Sequence, residues 1–182
     1  PDLEPIYDDQ PRAFFKNGVL DIRPHKPVFY GHDGGDSWLD INFNDFDNII
    51  LTAHIKARTI ADEAILGLLR YYSIDLPFLQ VGGETESDLQ LTINLRSEEI
   101  SGQGSFLIDD GIILYDGAQF NVKDTRFSLN DSEVLLEQLE VSYGDLFTAH
   151  VTGLILADKD VWDLDIVFDQ LTFDLDETTL SL

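Results

Sequence analysis

From residue 79 onward, apolar and polar side chains alternate in short runs. Leu89, Leu91, Ile93 and Leu95 do so in "DLQLTINLR", and Phe120 with Val122 in "AQFNV". Phe127 with Leu129, and Leu139, Val141 and Tyr143, follow the same rule. Trp162, Leu164, Ile166 and Phe168 are interleaved with Asp163, Asp165 and Asp169. A period of two is the mark of a strand with one dry face and one wet face. The pattern predicts strands at 79–96, with a bulge at Gly82–Gly83, and at 100–108 and 110–117, joined by a tight Asp110–Gly111 turn. Further strands follow at 118–122, 125–130, 133–143, 146–157 and 161–175. In the last of these the parity slips after Phe168 and restarts at Leu171, Phe173 and Leu175. A bulge or turn at Asp169–Gln170 accounts for the slip.

Upstream, strands are predicted at 18–23, 26–31, 37–43 and 47–58, with turns at 32–37 and 44–48. Residues 1–17, rich in Pro and Asp, read as an irregular lead-in or linker. One helix is expected at about 59–73. Thr59 with Asp62 resembles a capping box, and Ile60, Ala64, Ile65, Leu68, Leu69 and Tyr72 keep helical spacing. Pro77 ends it. Short turns leave no room for crossovers, so the expected architecture is all-β with one short helix, residues 18–182 forming a single domain. It takes one of two forms. One is a strongly curved antiparallel sheet forming a groove or taco-like half-barrel. The other is a closed β-sandwich whose second sheet fills the apolar face.

Composition narrows the function classes. Of 182 residues 43% are hydrophobic and 12 are Phe, which separates the chain from disordered acidic tails. Thirty-five acids against 11 bases give a formal charge of −24. Such a field repels phosphate backbones and anionic headgroups, so nucleic acid is not an expected partner. There is no Cys, hence no disulfide framework or thiolate metal site. Met is missing too, and the opening "PDLEPIYDDQPR" has neither a basic nor an apolar leader segment. A parent chain with a membrane anchor outside this sequence is the expectation.

Residues that look chemical are few. Acidic pairs are numerous but lie at alternate strand positions or in turns. Asp158, Asp160, Asp163 and Asp165 have the density of a calcium site without the glycine and terminal Glu of an EF-hand loop. The histidines, His25, His32, His54 and His150, lack metal-ligand spacing, and no nucleophile elbow, phosphate loop or dinucleotide fingerprint is present. Neither enzyme, metal nor cofactor is expected. What remains is the dry face, with Leu91, Ile93, Phe106, Ile108, Phe120, Val122, Phe127, Leu129, Val141, Tyr143, Phe147, Val151, Trp162, Leu164, Ile166 and Phe168 as its candidate lining.

The run "LPFLQVGGETESDLQLTINLRSEEISGQGSFLIDDGIILYDGAQFNVKDTRFSL" (76–129) resembles the AsmA-like proteins of the Gram-negative envelope, including TamB-like and YhdP-like relatives. Gly102, Gly104, Phe106, Ile108, Asp110, Gly111 and Ile112 or Ile113 match that family's "G-x-G-x-F-x-I-x-D-G-x-I". "FTAHVTGLI" (147–155) is similar to its recurring strand ending in Gly. The likeness spans roughly 59–175. It implies a non-enzymatic, lipid-binding or lipid-transfer segment of a periplasmic bridge, its parent anchored in the inner membrane. Phospholipid or another acyl lipid and adjacent β-groove repeats of the parent chain would be its partners. The alternative function is an envelope spacer or protein-binding module, with calcium as a third variant.

Overall fold

A computed structural model describes residues 10–29, 31–63, 66–67, 70, 78–159, 161–175 and 178–181. The strands are β1 (Arg12–Lys16), β2 (Val19–Arg23), β3 (Val28–Phe29), β4 (His32–Asp33), β5 (Trp38–Asn42) and β6 (Ile50–Thr59). They continue as β7 (Leu79–Asn94), β8 (Ile100–Tyr115), β9 (Ala118–Asn130), β10 (Glu133–Tyr143), β11 (Phe147–Leu156), β12 (Val161–Leu175) and β13 (Thr178–Ser181). Eleven of them form one sheet in the order β1-β2-β5-β6-β7-β8-β9-β10-β11-β12-β13, and β3 and β4 make a separate hairpin. The large sheet is an antiparallel meander whose end strands are not paired with each other among the described residues, so it is not closed into a barrel. Of the two architectures the pattern allows, the open antiparallel sheet is the one observed, rather than a sandwich of two packed sheets.

Several boundaries differ from expectation. Residues 12–16 are not irregular: they form β1, closed onto β2 by Asn17–Gly18, both at positive φ (52° and 76°). That is the geometry of a two-residue hairpin turn, which an Asn-Gly pair adopts with little strain. Likewise the turn between β8 and β9 is Asp116–Gly117 (φ 47° and 77°), not Asp110–Gly111. Residues 100–115 are one strand, and Gly111 lies buried inside it. A methyl at Gly111 would come within 2.7 Å of Ile108 Cγ2 and 3.2 Å of Val122 Cγ2, so glycine there makes room for packing rather than for a turn. The separate strands expected at 118–122 and 125–130 are also one, β9, with a local irregularity at Asp124 (φ 44°). His32 and Asp33, placed in a turn, form β4.

The helix begins later than its capping pattern suggests. Thr59 ends β6, and its buried hydroxyl has no hydrogen-bond partner among the described residues. Helical residues among those described are Glu63, Leu66, Gly67 and Arg70, with Leu66 N–H donating to the Asp62 carbonyl at 2.8 Å. Residues 60–62 of the expected helix are not helical, and 64–65, 68–69 and 71–73 lie outside the described residues.

Close contacts divide the chain into two compact units. Unit 1 comprises Pro1–Thr59, Glu86–Ser105 and Leu129–Asp131; unit 2 comprises Ile60–Thr85, Phe106–Ser128 and Ser132–Leu182. In unit 1 the register aligns Leu20 with Ile41 and Ile41 with Leu51, and Ile22 with Leu39 and Leu39 with Ala53, on one side. Asp21, Asp40 and Thr52 align on the other. That wet side carries ion pairs, Lys56–Asp88 at 2.9 Å and Arg58–Glu86 at 3.1 Å. The buried apolar residues Leu89, Leu91 and Leu129 belong to the same unit. A methyl on Gly104 would stand 2.7 Å from the Asp88 carbonyl and 2.9 Å from Leu89 Cα, and one on Gly102 3.1 Å from Leu91 Cδ2. The two glycines let β8 approach a leucine-bearing strand closely.

In unit 2 the core is Ile108, Val122, Phe127, Val134, Ala149 and Val151, with Leu66. Gln80 is buried there and fully engaged. Its Oε1 accepts from Ala61 N–H at 2.9 Å and Thr85 Oγ1 at 2.7 Å, and its Nε2 donates to the Gly82 carbonyl at 3.2 Å.

Candidate functional site

The site is built by strand register. β10 and β11 place Leu139 opposite Val151, Val141 opposite Ala149 and Tyr143 opposite Phe147. β11 and β12 then place Ala149 opposite Phe168, Val151 opposite Ile166, Gly153 opposite Leu164 and Ile155 opposite Trp162. Directly opposed residues share a face. The face made by these strands therefore carries only aliphatic, aromatic or glycine residues. The opposite face carries Glu140, Ser142, Thr148, His150, Thr152, Asp163 and Asp165, with His150 Nε2 2.8 Å from Asp169 Oδ2.

Two bulges keep that separation. Leu136 pairs with Gly153 but Leu139 with Val151, so Glu137 and Gln138 together face Thr152. Thr148 pairs with Gln170 but Ala149 with Phe168, leaving Asp169 as an extra residue. The parity slip read from the sequence at Asp169–Gln170 is this bulge. It returns Leu171 to the apolar face opposite Phe147.

Aromatic rings join the strands. Phe120 lies 5.2 Å from Tyr143 and 6.3 Å from Phe147, and Phe147 meets Phe168 edge-on at 5.9 Å. Phe106 stacks on Phe127 at 4.6 Å and 11°. These are favourable quadrupole geometries, each adding roughly 0.5–1.5 kcal/mol beyond burial. Within unit 2 the structure thus brings together the expected lining residues Phe120, Val141, Tyr143, Phe147, Val151, Trp162, Leu164, Ile166 and Phe168. The stacked Phe106–Phe127 pair and the buried Ile108 and Val122 also belong to this unit. Leu91, Ile93 and Leu129 belong to unit 1.

Exposure grades across the lining. Val122 is 1% exposed and Ile108 3%, whereas Trp162, Ile166 and Phe168 stand at 48%, 51% and 49%. The middle strands bury their share in the protein itself, whereas the three large residues of β12 stay half exposed. Leu139, part of the alternating series, shares this face, and so does Ala149, which the alternation does not mark. Ala149 is too small to mark a stripe, although its position between Phe147 and Val151 was the available signal.

Polar features lie elsewhere. In unit 1 Trp38 stacks on His54 (4.2 Å, 8°) under the Arg23 guanidinium at 5.0 Å. His54 Nε2 lies 3.0 Å from Asp40 Oδ2. Asp21 holds Arg23 through two hydrogen bonds of 2.8 Å, and these bonds raise the guanidinium pKa above its ordinary value. His54 is a sheet residue satisfied by its neighbours. A shallow cleft of about 200 Å³ is lined by Gln90, Thr92, Ser101, Gly102, Gln103, Asn130 and Asp131, and Gly102 N–H donates to Asp131 Oδ1 at 2.9 Å. It holds no nucleophile–base pair. Among the described residues no three His, Asp or Glu side chains are grouped to hold a metal, and no helix is long and apolar enough to cross a membrane. Comparisons with protein-family models, with curated proteins and with solved structures found no match for the chain.

Proposed function

We propose that the apolar face of β10, β11 and β12, with the aromatic cluster around Phe147, binds the acyl chains of a lipid. One observation carries the reading. A face with no charged side chain ends in three large residues, Trp162, Ile166 and Phe168, each about half exposed. Isolated surface apolar residues need no explanation, but a contiguous row does. Each methylene covered there contributes about 0.8 kcal/mol, so ten methylenes supply about 8 kcal/mol against the cost of ordering the chain. The net charge of −24 favours zwitterionic or uncharged headgroups over anionic ones. The resemblance of residues 59–175 to AsmA-like proteins points the same way. In that reading the chain is a segment of a periplasmic, membrane-anchored parent that passes lipid along its sheet without chemical turnover.

Native mass spectrometry of the purified chain, followed by organic extraction, tests the proposal. Co-purifying phospholipid, or uptake of a fluorescent fatty acid by the extracted protein, is the expected result. A clean apo mass together with no uptake overturns it.

A further inference from the structure

Two strand edges are open among the described residues. β12 pairs with β11 over Val161–Leu171, but β13 covers only Thr172–Leu175 of its other side, so Val161–Leu171 has a free edge. β1 pairs with β2 alone. A free edge displays unpaired N–H and C=O groups and templates strand addition unless its side chains oppose it.

The side chains of these two edges are complementary. On β1, Arg12, Phe14 and Lys16 share one face and Ala13 and Phe15 the other, and all five are exposed. On β12, Asp165, Val167 and Asp169 lie on the wet face, Ile166 and Phe168 on the apolar one, and these too are exposed. Neither Arg12 nor Lys16 has an ion-pair partner among the described residues; the neighbour of Arg12 across β2 is Arg23. Asp165 is likewise unpaired, facing Thr152, and Asp169 meets only His150.

We propose that β1 of one copy adds antiparallel to the free edge of β12 in a second copy. The register sets Arg12 opposite Asp169, Phe14 opposite Val167 and Lys16 opposite Asp165, with Ala13 and Phe15 opposite Phe168 and Ile166. Both charged positions are spaced by four on both strands, so a single register satisfies charge and hydrophobicity together. Opposed opposite charges and apolar pairs stabilise a ladder, whereas like charges directly opposite destabilise it. That rule also disfavours the symmetric alternatives of full overlap. Overlapping two β1 strands sets Arg12 against Lys16, and overlapping two β12 strands about Val167 sets Asp165 against Asp169. The contact is therefore heterologous, and each added copy leaves one edge of each kind free. Mutual repulsion of two chains of charge −24 opposes approach at low salt. At 0.15 M the Debye length is about 8 Å, which screens the long-range field more than the contact pairs.

The inference does not rest on the lipid reading and is tested on lipid-extracted protein. Sedimentation velocity at 0.15 M salt should show oligomers that grow with protein concentration. R12E/K16E and D165K/D169K should each raise the concentration needed by about tenfold or more, with β circular dichroism retained, as their exposed positions allow. An equimolar mixture of the two variants restores complementary edges and should associate again. Chains that stay monomeric at every concentration would overturn the proposal. So would association unchanged in both variants, or a mixture no more associated than its parts.

Discussion

Val122 and Ile166 were read from the sequence as equivalent members of one apolar lining, yet they sit at opposite ends of the burial scale, 1% and 51% exposed. Replacing each by Asp separates what the face does for the fold from what it does for a ligand. Val122→Asp removes about 1.5–3 kcal/mol of apolar burial. It also places a carboxyl group at a position only 1% exposed, packed against Gly111. Keeping that carboxyl neutral at pH 7, against an ordinary value near 3.9, costs about 4 kcal/mol. The sum, about 6 kcal/mol, is comparable with the whole stability of an ordinary domain. Because burial raises the folded-state pKa of the introduced group, the ionisation penalty is present above that pKa and disappears as pH falls toward 3.9. Val122→Asp should therefore be unfolded or nearly so at pH 7 and recover several kcal/mol by pH 4.5.

Ile166→Asp behaves differently. The side chain is half in water, the new carboxylate stays solvated, and the loss should be about 1 kcal/mol. An acyl chain crossing β12 lays roughly four methylenes against this position, about 3 kcal/mol, or about 100-fold in affinity. Urea unfolding followed by circular dichroism at pH 7 and 4.5, alongside fluorescent fatty-acid titration, reads both effects. Wild-type stability of Val122→Asp at pH 7 would refute the burial argument. Wild-type binding by a folded Ile166→Asp would refute the lipid reading.

Gln80→Ala strands the Ala61 amide and the Thr85 hydroxyl, and should cost about 2–4 kcal/mol, with hydrogen exchange at the Ala61 amide speeding up in step. Gly104→Ala drives a methyl into backbone atoms of Asp88 and Leu89, so its urea midpoint should fall far more than that of Gly117→Ala. Gly117 has positive φ but open space around it, and there only the backbone penalty of about 1 kcal/mol applies. Trp162 lies half exposed on the proposed binding face, so lipid uptake should shift its emission to the blue; a W38F variant isolates that signal, and an unmoved spectrum at saturating lipid would count against the site.

The strands were legible because their signal is local. Alternation in 133–143, 146–157 and 161–175 needs no knowledge of partners, and β10, β11 and β12 lie there to within a residue or so. What the sequence hid was long-range. Asp110–Gly111 and Asp116–Gly117 are the same dipeptide, but only the second turns the chain. Gly111 is there because Ile108 and Val122 pack over it, and that is visible only once β9 lies beside β8. Thr59 offered a cap to a helix that starts after it, because pairing in β6 claimed its backbone first. The lining was read as uniform, since alternation reports which face a residue is on and not how much of that face another strand covers.

The two bulges of unit 2 suggest what is being preserved on the apolar face. Each puts its additional residues on or toward the wet side, Glu137–Gln138 and Asp169, and each leaves the apolar series unbroken from Leu136 to Leu139 and from Phe168 to Leu171. A strand of period two cannot absorb an odd residue any other way without turning everything beyond it over. It follows that deletions within β12 should differ sharply by position. Deleting Asp169 removes the bulge, keeps Phe168 opposite Ala149 and Leu171 opposite Phe147, and forfeits mainly an exposed side-chain contact to His150, worth about 1 kcal/mol or less. Deleting Asp165 leaves the acidic count equally changed but sets Leu164 next to Ile166, so that one side of the cut must present its apolar residues to water. Thermal or urea unfolding should find the first deletion close to wild type and the second severely destabilised. Equal losses would mean that composition, and not the continuity of this face, is what the strand register protects.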